Sequence, residues 1–146
     1  MNEVTAETVA KVLLINNLNQ ALILTVGEYK ERPDKSFKPD LPGGLVDPGE
    51  SERDAAVREV YEEAGFQINA KDLQLAYSQT DFYGDEQKSV TKLLYLIYLN
   101  HTPDVKISWE HASHDWVDVE GITESVEFRP FYKSAVKYCI ERGLIG

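Results

Sequence analysis

Residues 90–99 (VTKLLYLIYL) are almost continuously apolar. A strand with one face in water alternates apolar and polar side chains, so a run like this belongs to a strand covered on both faces. It is well short of the about 18 apolar residues that a membrane helix needs. The segment therefore calls for a sheet with a layer on each side, and the rest of the chain must supply those layers. Two further apolar, β-branched runs, 9–16 (VAKVLLIN) and 21–26 (ALILTV), flank Asn17-Leu18-Asn19-Gln20 and read as a hairpin. Residues 73–82 read as another strand and 115–119 (DWVDV) as a short one.

Two segments have the pattern of covering helices. The first is 51–64, with Ser51 as N-cap, Asp54 three residues on and Gly65 as the stop. The second is 128–142, where Phe128, Phe131, Tyr132, Ala135, Val136, Cys139 and Ile140 form one stripe and Pro130 sits near the start. The expected fold is α/β: a mixed β-sheet flanked by the helix 51–64 and the C-terminal helix, an α/β/α sandwich. With 146 residues, the length prior is one domain over 1–146, large enough to bury about 70% of its unfolded surface. Between the first strands and the first helix lies a polar loop, 27–40. It is followed by turn signals at 41–44 and 47–49 around a short 45–46 step.

Composition narrows the function. The one cysteine, Cys139, excludes a disulfide framework or a cysteine-based zinc site, and its place on the apolar stripe makes it a small buried hydrophobe. No segment is expected in a membrane, and the start MNEVTAETVA does not read as a signal peptide, so a cytoplasmic protein is expected. The 15 Lys and Arg against 25 Asp and Glu give a net charge of −10. Such a surface repels nucleic-acid polymers, yet it can handle phosphates where a divalent cation reverses the local sign.

On a helical wheel of 51–64, Glu59, Glu62 and Glu63 gather on one side with Glu52. Val57, Val60, Tyr61 and Ala64 occupy the other. Like charges at these spacings repel, and only Arg58 stands at the edge to tie one down. One reading is a solvated acidic face. The other is a metal site: the cluster lies in the half where the helix dipole disfavours anions, a glycine-bearing loop precedes it, and oxygen ligands suit Mg²⁺ or Mn²⁺ shared with substrate phosphates.

Gly44, five residues, Glu50, seven residues, then Arg58-Glu59-Val60-Tyr61-Glu62-Glu63-Ala64-Gly65-Phe66 resembles the signature of the MutT/Nudix hydrolases. Phe66 stands where that family more often has Ile, Leu or Val. The resemblance implies hydrolysis of a nucleoside diphosphate linked to another moiety, with Mg²⁺ or Mn²⁺ as cofactor. It implies Glu59 and Glu63 as principal metal ligands, Glu62 in the same shell and the Gly44 carbonyl as a backbone ligand. Arg58 would orient the glutamates, supported by Glu50. The base that activates water is open between a box glutamate and one from a later loop. Glu110, six residues before Trp116, is the candidate for a later metal-ligating carboxylate, a solvated loop glutamate being the alternative. His111 and His114 flank it, and packing or surface roles suit them better than zinc.

The partner expected is a small nucleotide. A (deoxy)nucleoside triphosphate leads, with dinucleoside polyphosphates and nucleotide sugars of the ADP-ribose type as alternatives. A non-catalytic nucleotide sensor is the rival from another class, disfavoured by the intact box. The loop 27–40 carries Lys30, Arg32, Lys35 and Lys38, of which Arg32 and Lys38 are candidates for a terminal phosphate, with Phe37 or Tyr29 stacking on a base. Tyr83 lies where some dinucleoside polyphosphate hydrolases of the family carry a tyrosine. Tyr95, Tyr98, Trp109 and Trp116 read first as core aromatics, although either tryptophan could contact a base. A homodimer is compatible with the family, but no residue marks an interface.

Overall fold

A computed structural model describes residues 3–31 and 33–145. In chain order the main elements are β1 (Thr5–Ile15), β2 (Gln20–Val26), β3 (Pro39–Asp40), β4 (Gly43–Leu45) and α1 (Glu52–Ala64). They are followed by β5 (Gln74–Tyr83), β6 (Lys88–Tyr98), β7 (His111–Asp118), α2 (Val119–Glu124) and α3 (Pro130–Glu141). The strands form one mixed sheet in the order β3-β2-β1-β6-β5, with β4 also on β1 and β7 also on β2. β1 is the spine. It runs parallel to β6 from Thr5 opposite Lys88 to Ile15 opposite Tyr98, and antiparallel to β4 and β2.

Alternate residues of the central strands enter different cores. Ala10, Val12 and Leu14 of β1, Leu22 and Leu24 of β2, and Tyr95 and Ile97 of β6 pack with Ala56, Val60 and Ala64 of α1. Their neighbours Leu13, Ile15, Ala21, Ile23, Leu94 and Leu96 pack with Ile122 of α2 and Phe131, Tyr132, Ala135, Val136 and Cys139 of α3. These apolar runs are thus explained by a helical layer on each face, and the architecture is the expected α/β/α sandwich. Among the described residues no helix is long and apolar enough to cross a membrane.

Local chemistry sets the boundaries. The Asn16 side-chain oxygen accepts from the N–H groups of Leu18 and Gln20 at 3.0 and 2.9 Å, shaping the β1–β2 turn. Ser51 caps α1 by accepting from the Asp54 N–H at 3.1 Å, and Gly65 ends it in the left-handed region at φ 80°. Two orphan carbonyls at that end, of Glu63 and Ala64, accept from Ser108 and Lys106 in the loop after β6. This loop therefore returns across the end of α1 and towards β7.

Four expectations need correction. The short strand over 115–119 is instead the longer β7, and Val119 begins α2. β2 offers backbone partners from Val26 opposite His111 to Gln20 opposite Asp118, so pairing makes this strand where side-chain alternation gave no signal. The loop 27–40 contains a 3₁₀ turn at Pro33–Lys35 and ends in β3. Tyr95 is buried, but Tyr98 is 55% exposed at the end of β6, its hydroxyl donating to the Leu144 carbonyl. Tyr61 is also exposed, and Glu63 takes its place on the buried side of α1.

Val60 is fully buried between α1 and the sheet. Val60→Asp places a carboxylate there without a partner, a destabilisation of about 3–5 kcal/mol and a large share of a domain's total stability. Thermal melts should show a lost or strongly lowered transition, whereas a wild-type Tm would contradict this docking of α1. Asp40, beside Lys11 and Tyr132, tests the other layer. Burial raises its carboxyl pKa, but the Lys11 charge and the Tyr132 hydroxyl outweigh burial and hold it below the usual value of 3.8. The stability it contributes is present above that value and is lost as the pH falls through its lower folded value. Asp40→Asn should lower Tm at neutral pH and make its fall in acid shallower, and an unchanged acid limb would contradict the pairing.

Candidate active site

Residues 52–54 at the start of α1 are exposed, while its last two turns bring Glu59 and Glu63 against the backbone of β4. Glu63 is 8% exposed, and its Oε2 accepts from the Gly43 N–H at 2.9 Å. Burial pushes its carboxyl up to about 8, although Lys11 and the Gly43 N–H act the other way. Burial also raises Glu59, opposed by Arg58. A cation brought to this pair would relieve the cost of desolvating two nearby carboxylates. Glu62 points elsewhere: it is exposed, bonds to Arg58, and is not among the described residues lining the cleft.

Arg58 organises the outer side of this pair. Its Nε and Nη2 grip both oxygens of Glu50 at 2.8 and 3.0 Å. Nη1 reaches Glu59 at 3.1 Å and Glu62 at 3.2 Å, and Nη2 also donates to the Leu45 carbonyl. Glu50 accepts from the Asp47 N–H at 3.1 Å. Hydrogen bonds from Arg58 hold the Glu50 carboxyl below its ordinary value. One guanidinium thus joins the loop after β4 to α1, using the planar fork that suits carboxylates.

The glycines are required by close approach. A Cβ on Gly44 would stand 2.8 Å from the Glu59 carboxylate. One on Gly43, at φ +133°, would meet the Ala10 carbonyl at 2.1 Å. Across this turn lies Lys11, the charged residue within the apolar stretch 9–15 of β1. Its Nζ donates to Asp40, to the Leu41 carbonyl at 3.1 Å and to the Gly43 carbonyl at 3.0 Å. Burial alone would lower the Lys11 pKa, but Asp40, Tyr132 and Glu63 together raise it above the ordinary lysine value, so the ammonium is charged.

These groups floor a cleft of ≈ 770 Å³ lined by Lys11, Asp40, Gly43, Gly44, Glu59 and Glu63, with Tyr29, Trp109, Glu110 and His111 at other parts of its wall. The Gly27 N–H donates to the Glu110 carbonyl at 2.9 Å, which fastens the 109–110 segment beside the end of β2. Trp109 is 92% exposed, contrary to the core role expected for it, while Trp116 is partly buried against the α1-side core. His111 is buried, and burial lowers its pKa. Its Nδ1 lies 3.3 Å from the Ser108 hydroxyl. His114 is exposed on β7.

Several expected substrate contacts lie elsewhere. Phe37, Lys38 and Tyr83 are not among the described lining residues of the cleft. Phe37 is 60% exposed, and its N–H is bound to the Val26 carbonyl. Lys38 pairs with Glu127 at 2.9 Å. Tyr83 ends β5, the edge strand two places from β1. Arg32 and the Lys35 side chain lie outside the described residues. Lys11 and Asp40 are missed by the sequence reading, and Tyr132 is read only as part of the apolar stripe of the last helix, although a lysine within the apolar run 9–16 signals a buried partner.

Among the described residues, no three His, Cys, Asp or Glu side chains form a ready-made metal cage. The donor set nevertheless fits a hard cation. It offers two inward carboxylates, both raised by burial, beside a Gly44 backbone that a Cβ would obstruct. Mg²⁺ characteristically takes one or two carboxylates and completes its shell with water and substrate phosphates.

The chain has counterparts among known proteins. The crystal structure of the MutT protein from Methanosarcina mazei Go1 is 27% identical and superposes with a TM-score of 0.79 over 97% of this chain and 99% of that one. A bis(5'-nucleosyl)-tetraphosphatase [asymmetrical] from Caenorhabditis elegans is 33% identical over 87 residues, 60% of this chain and 63% of that one. A putative 8-oxo-dGTP diphosphatase from Bacillus subtilis (strain 168) is 40% identical over 78 residues, 53% of this chain and 47% of that one. The matched stretch thus spans less than two thirds of these two curated relatives. Residues 6–139, nearly the whole sandwich and its cleft, match the NUDIX domain, and the chain belongs to the Nudix family.

Proposed function

We propose that the protein is a divalent-metal-dependent pyrophosphohydrolase of nucleoside polyphosphates, with (deoxy)nucleoside triphosphates as leading substrates. The observation that carries this reading is the pair of inward carboxylates, Glu59 and Glu63, facing the Gly43-Gly44 backbone in a cleft with aromatic walls. Glu59, Glu63 and the Gly44 carbonyl would hold Mg²⁺ or Mn²⁺, with Glu110 as a further carboxylate at the wall. Bound there, the cation would neutralise phosphate oxygens and acidify the attacking water.

The chain's own groups set the geometry of that attack. Arg58, itself held by Glu50, holds Glu59 from behind, and the Gly43 N–H holds Glu63. A carboxylate freed of its proton at this site can accept one from water as the water adds to phosphorus, and the anhydride oxygen leaves with the departing phosphate. Trp109 and Tyr29, exposed at the cleft, offer aromatic faces for a base. Two such faces also favour a second reading, a dinucleoside polyphosphate, in line with the C. elegans relative.

The test is phosphate release from a panel of canonical and oxidised triphosphates and dinucleoside polyphosphates in Mg²⁺, coupled separately to a pyrophosphatase and a phosphatase. Pyrophosphate from a triphosphate supports the leading reading. Products from a dinucleotide alone support the second, and silence with both Mg²⁺ and Mn²⁺ contradicts both. Glu63→Gln keeps the acceptor for Gly43 but removes the charge. It should lower turnover by about 10²-fold or more, the scale of losing one preorganised electrostatic partner. Mg²⁺ should raise the Tm of the wild type and not of Glu63→Gln, since only a ligand that binds the folded state stabilises it. Near-normal turnover in this variant would contradict the assignment. Trp109→Ala should raise KM about 10-fold with kcat nearly unchanged, the size of a lost stacking contact, and an unchanged KM would remove Trp109 from the base site.

A further inference from the structure

Lys11 and Asp40 are distant from the glutamates in sequence, yet they share the cleft floor with them. The Lys11 ammonium has three N–H groups and three acceptor sites: the Asp40 carboxylate at 3.2 and 3.3 Å, the Leu41 carbonyl at 3.1 Å and the Gly43 carbonyl at 3.0 Å. All its protons are therefore engaged within the protein, and none is left to grip a phosphate. Asp40 is held in turn by the Leu41 N–H at 2.9 Å and by the hydroxyl of Tyr132, a buried residue of α3. Gly43 is consequently clamped twice, its carbonyl by Lys11 and its N–H by Glu63. The peptide planes on both sides of its α-carbon are fixed, which orients Gly44 and anchors the Glu63 carboxylate at once.

We propose that Lys11 is a positioning residue of the active site: paired with Asp40, it clamps the turn 41–43 so that Glu63 and the Gly44 carbonyl are preset to receive the divalent cation. The inference rests on the cation-binding reading of this cleft, but not on any particular nucleotide. Because the Lys11–Asp40 pair is largely withdrawn from solvent, its side chains 12% and 13% exposed, removing one partner alone strands the other charge. The neutral, near-isosteric double variant Lys11→Met/Asp40→Asn avoids this, since replacing both members of a buried pair is often tolerated. The carboxamide introduced by Asp40→Asn also retains an acceptor oxygen for Tyr132 and for the Leu41 N–H.

The experiment is Mn²⁺ titration of the nucleotide-free protein by electron paramagnetic resonance, with thermal melts as the folding control. The double variant should remain folded and bind Mn²⁺ about 10–100-fold more weakly, as for lost partners that orient metal ligands. Tyr132→Phe spares every Lys11 hydrogen bond and should bind near the wild-type level. In the wild type, substoichiometric Mn²⁺ should broaden the backbone amide signals of Gly43 and Lys11, a readout that does not depend on any variant folding. Wild-type Mn²⁺ affinity in the double variant, equal weakening in Tyr132→Phe, or broadening remote from Gly43 would each overturn the inference. The nucleotide panel fails separately: a wild type that binds Mn²⁺ here but cleaves no nucleotide contradicts the proposed activity and leaves the clamp standing.

Discussion

Glu63 is a carboxylate in a place where carboxylates are costly, 8% exposed between a helix and a sheet edge. Burial without compensation would favour its neutral form, and the surrounding groups provide only partial relief: one N–H from Gly43 and the charge of Lys11. Much of the local structure follows from supplying that relief. Gly43, which donates to it, lies so close to β1 that a side chain would meet the Ala10 carbonyl. Lys11 reaches the same turn only by leaving most of its contact with solvent, and it does so against the similarly sheltered Asp40 and the buried Tyr132. The burial cost left over is what a bound cation would offset.

The sandwich makes this arrangement rigid. β1 serves both cores and also carries Lys11, pairing at that residue with Gly43 of β4 on one side and Leu94 of β6 on the other. α1 is anchored by Ala56, Val60 and Ala64 beneath it. The loop after β6 closes the end of α1 through the Glu63 and Ala64 carbonyls before it presents Trp109 and Glu110 to the cleft. α1 and the exposed tryptophan are therefore positioned by one continuous stretch of backbone hydrogen bonds.

What was legible in the sequence was what short-range pattern encodes. The caps at Ser51 and Gly65 bounded α1, unbroken apolar runs identified the doubly covered strands, and the spacing from Gly44 to Phe66 pointed to the family. The rest depends on contacts between distant segments. β7 extends to His111 because β2 offers a partner there, though His111–Asp115 has no apolar alternation. Tyr98 and Trp109 looked like core aromatics, but strand end and loop geometry leave them exposed. On the helical wheel Glu62 and Glu63 were equivalent, and only the turn at Gly43 makes one buried and the other exposed. Lys38 looked like a phosphate ligand until Glu127, on a segment before α3, took its charge.

The most direct test of this account is a crystal structure with Mn²⁺ and a non-hydrolysable nucleoside triphosphate analogue, read by anomalous scattering at the metal edge. The account predicts a metal peak at ligand distance from Glu59, Glu63 and the Gly44 carbonyl, with the analogue's phosphates completing its shell. A peak held by Glu62 on the outer face of α1, with the Glu63 carboxylate still turned only to Gly43, would contradict it.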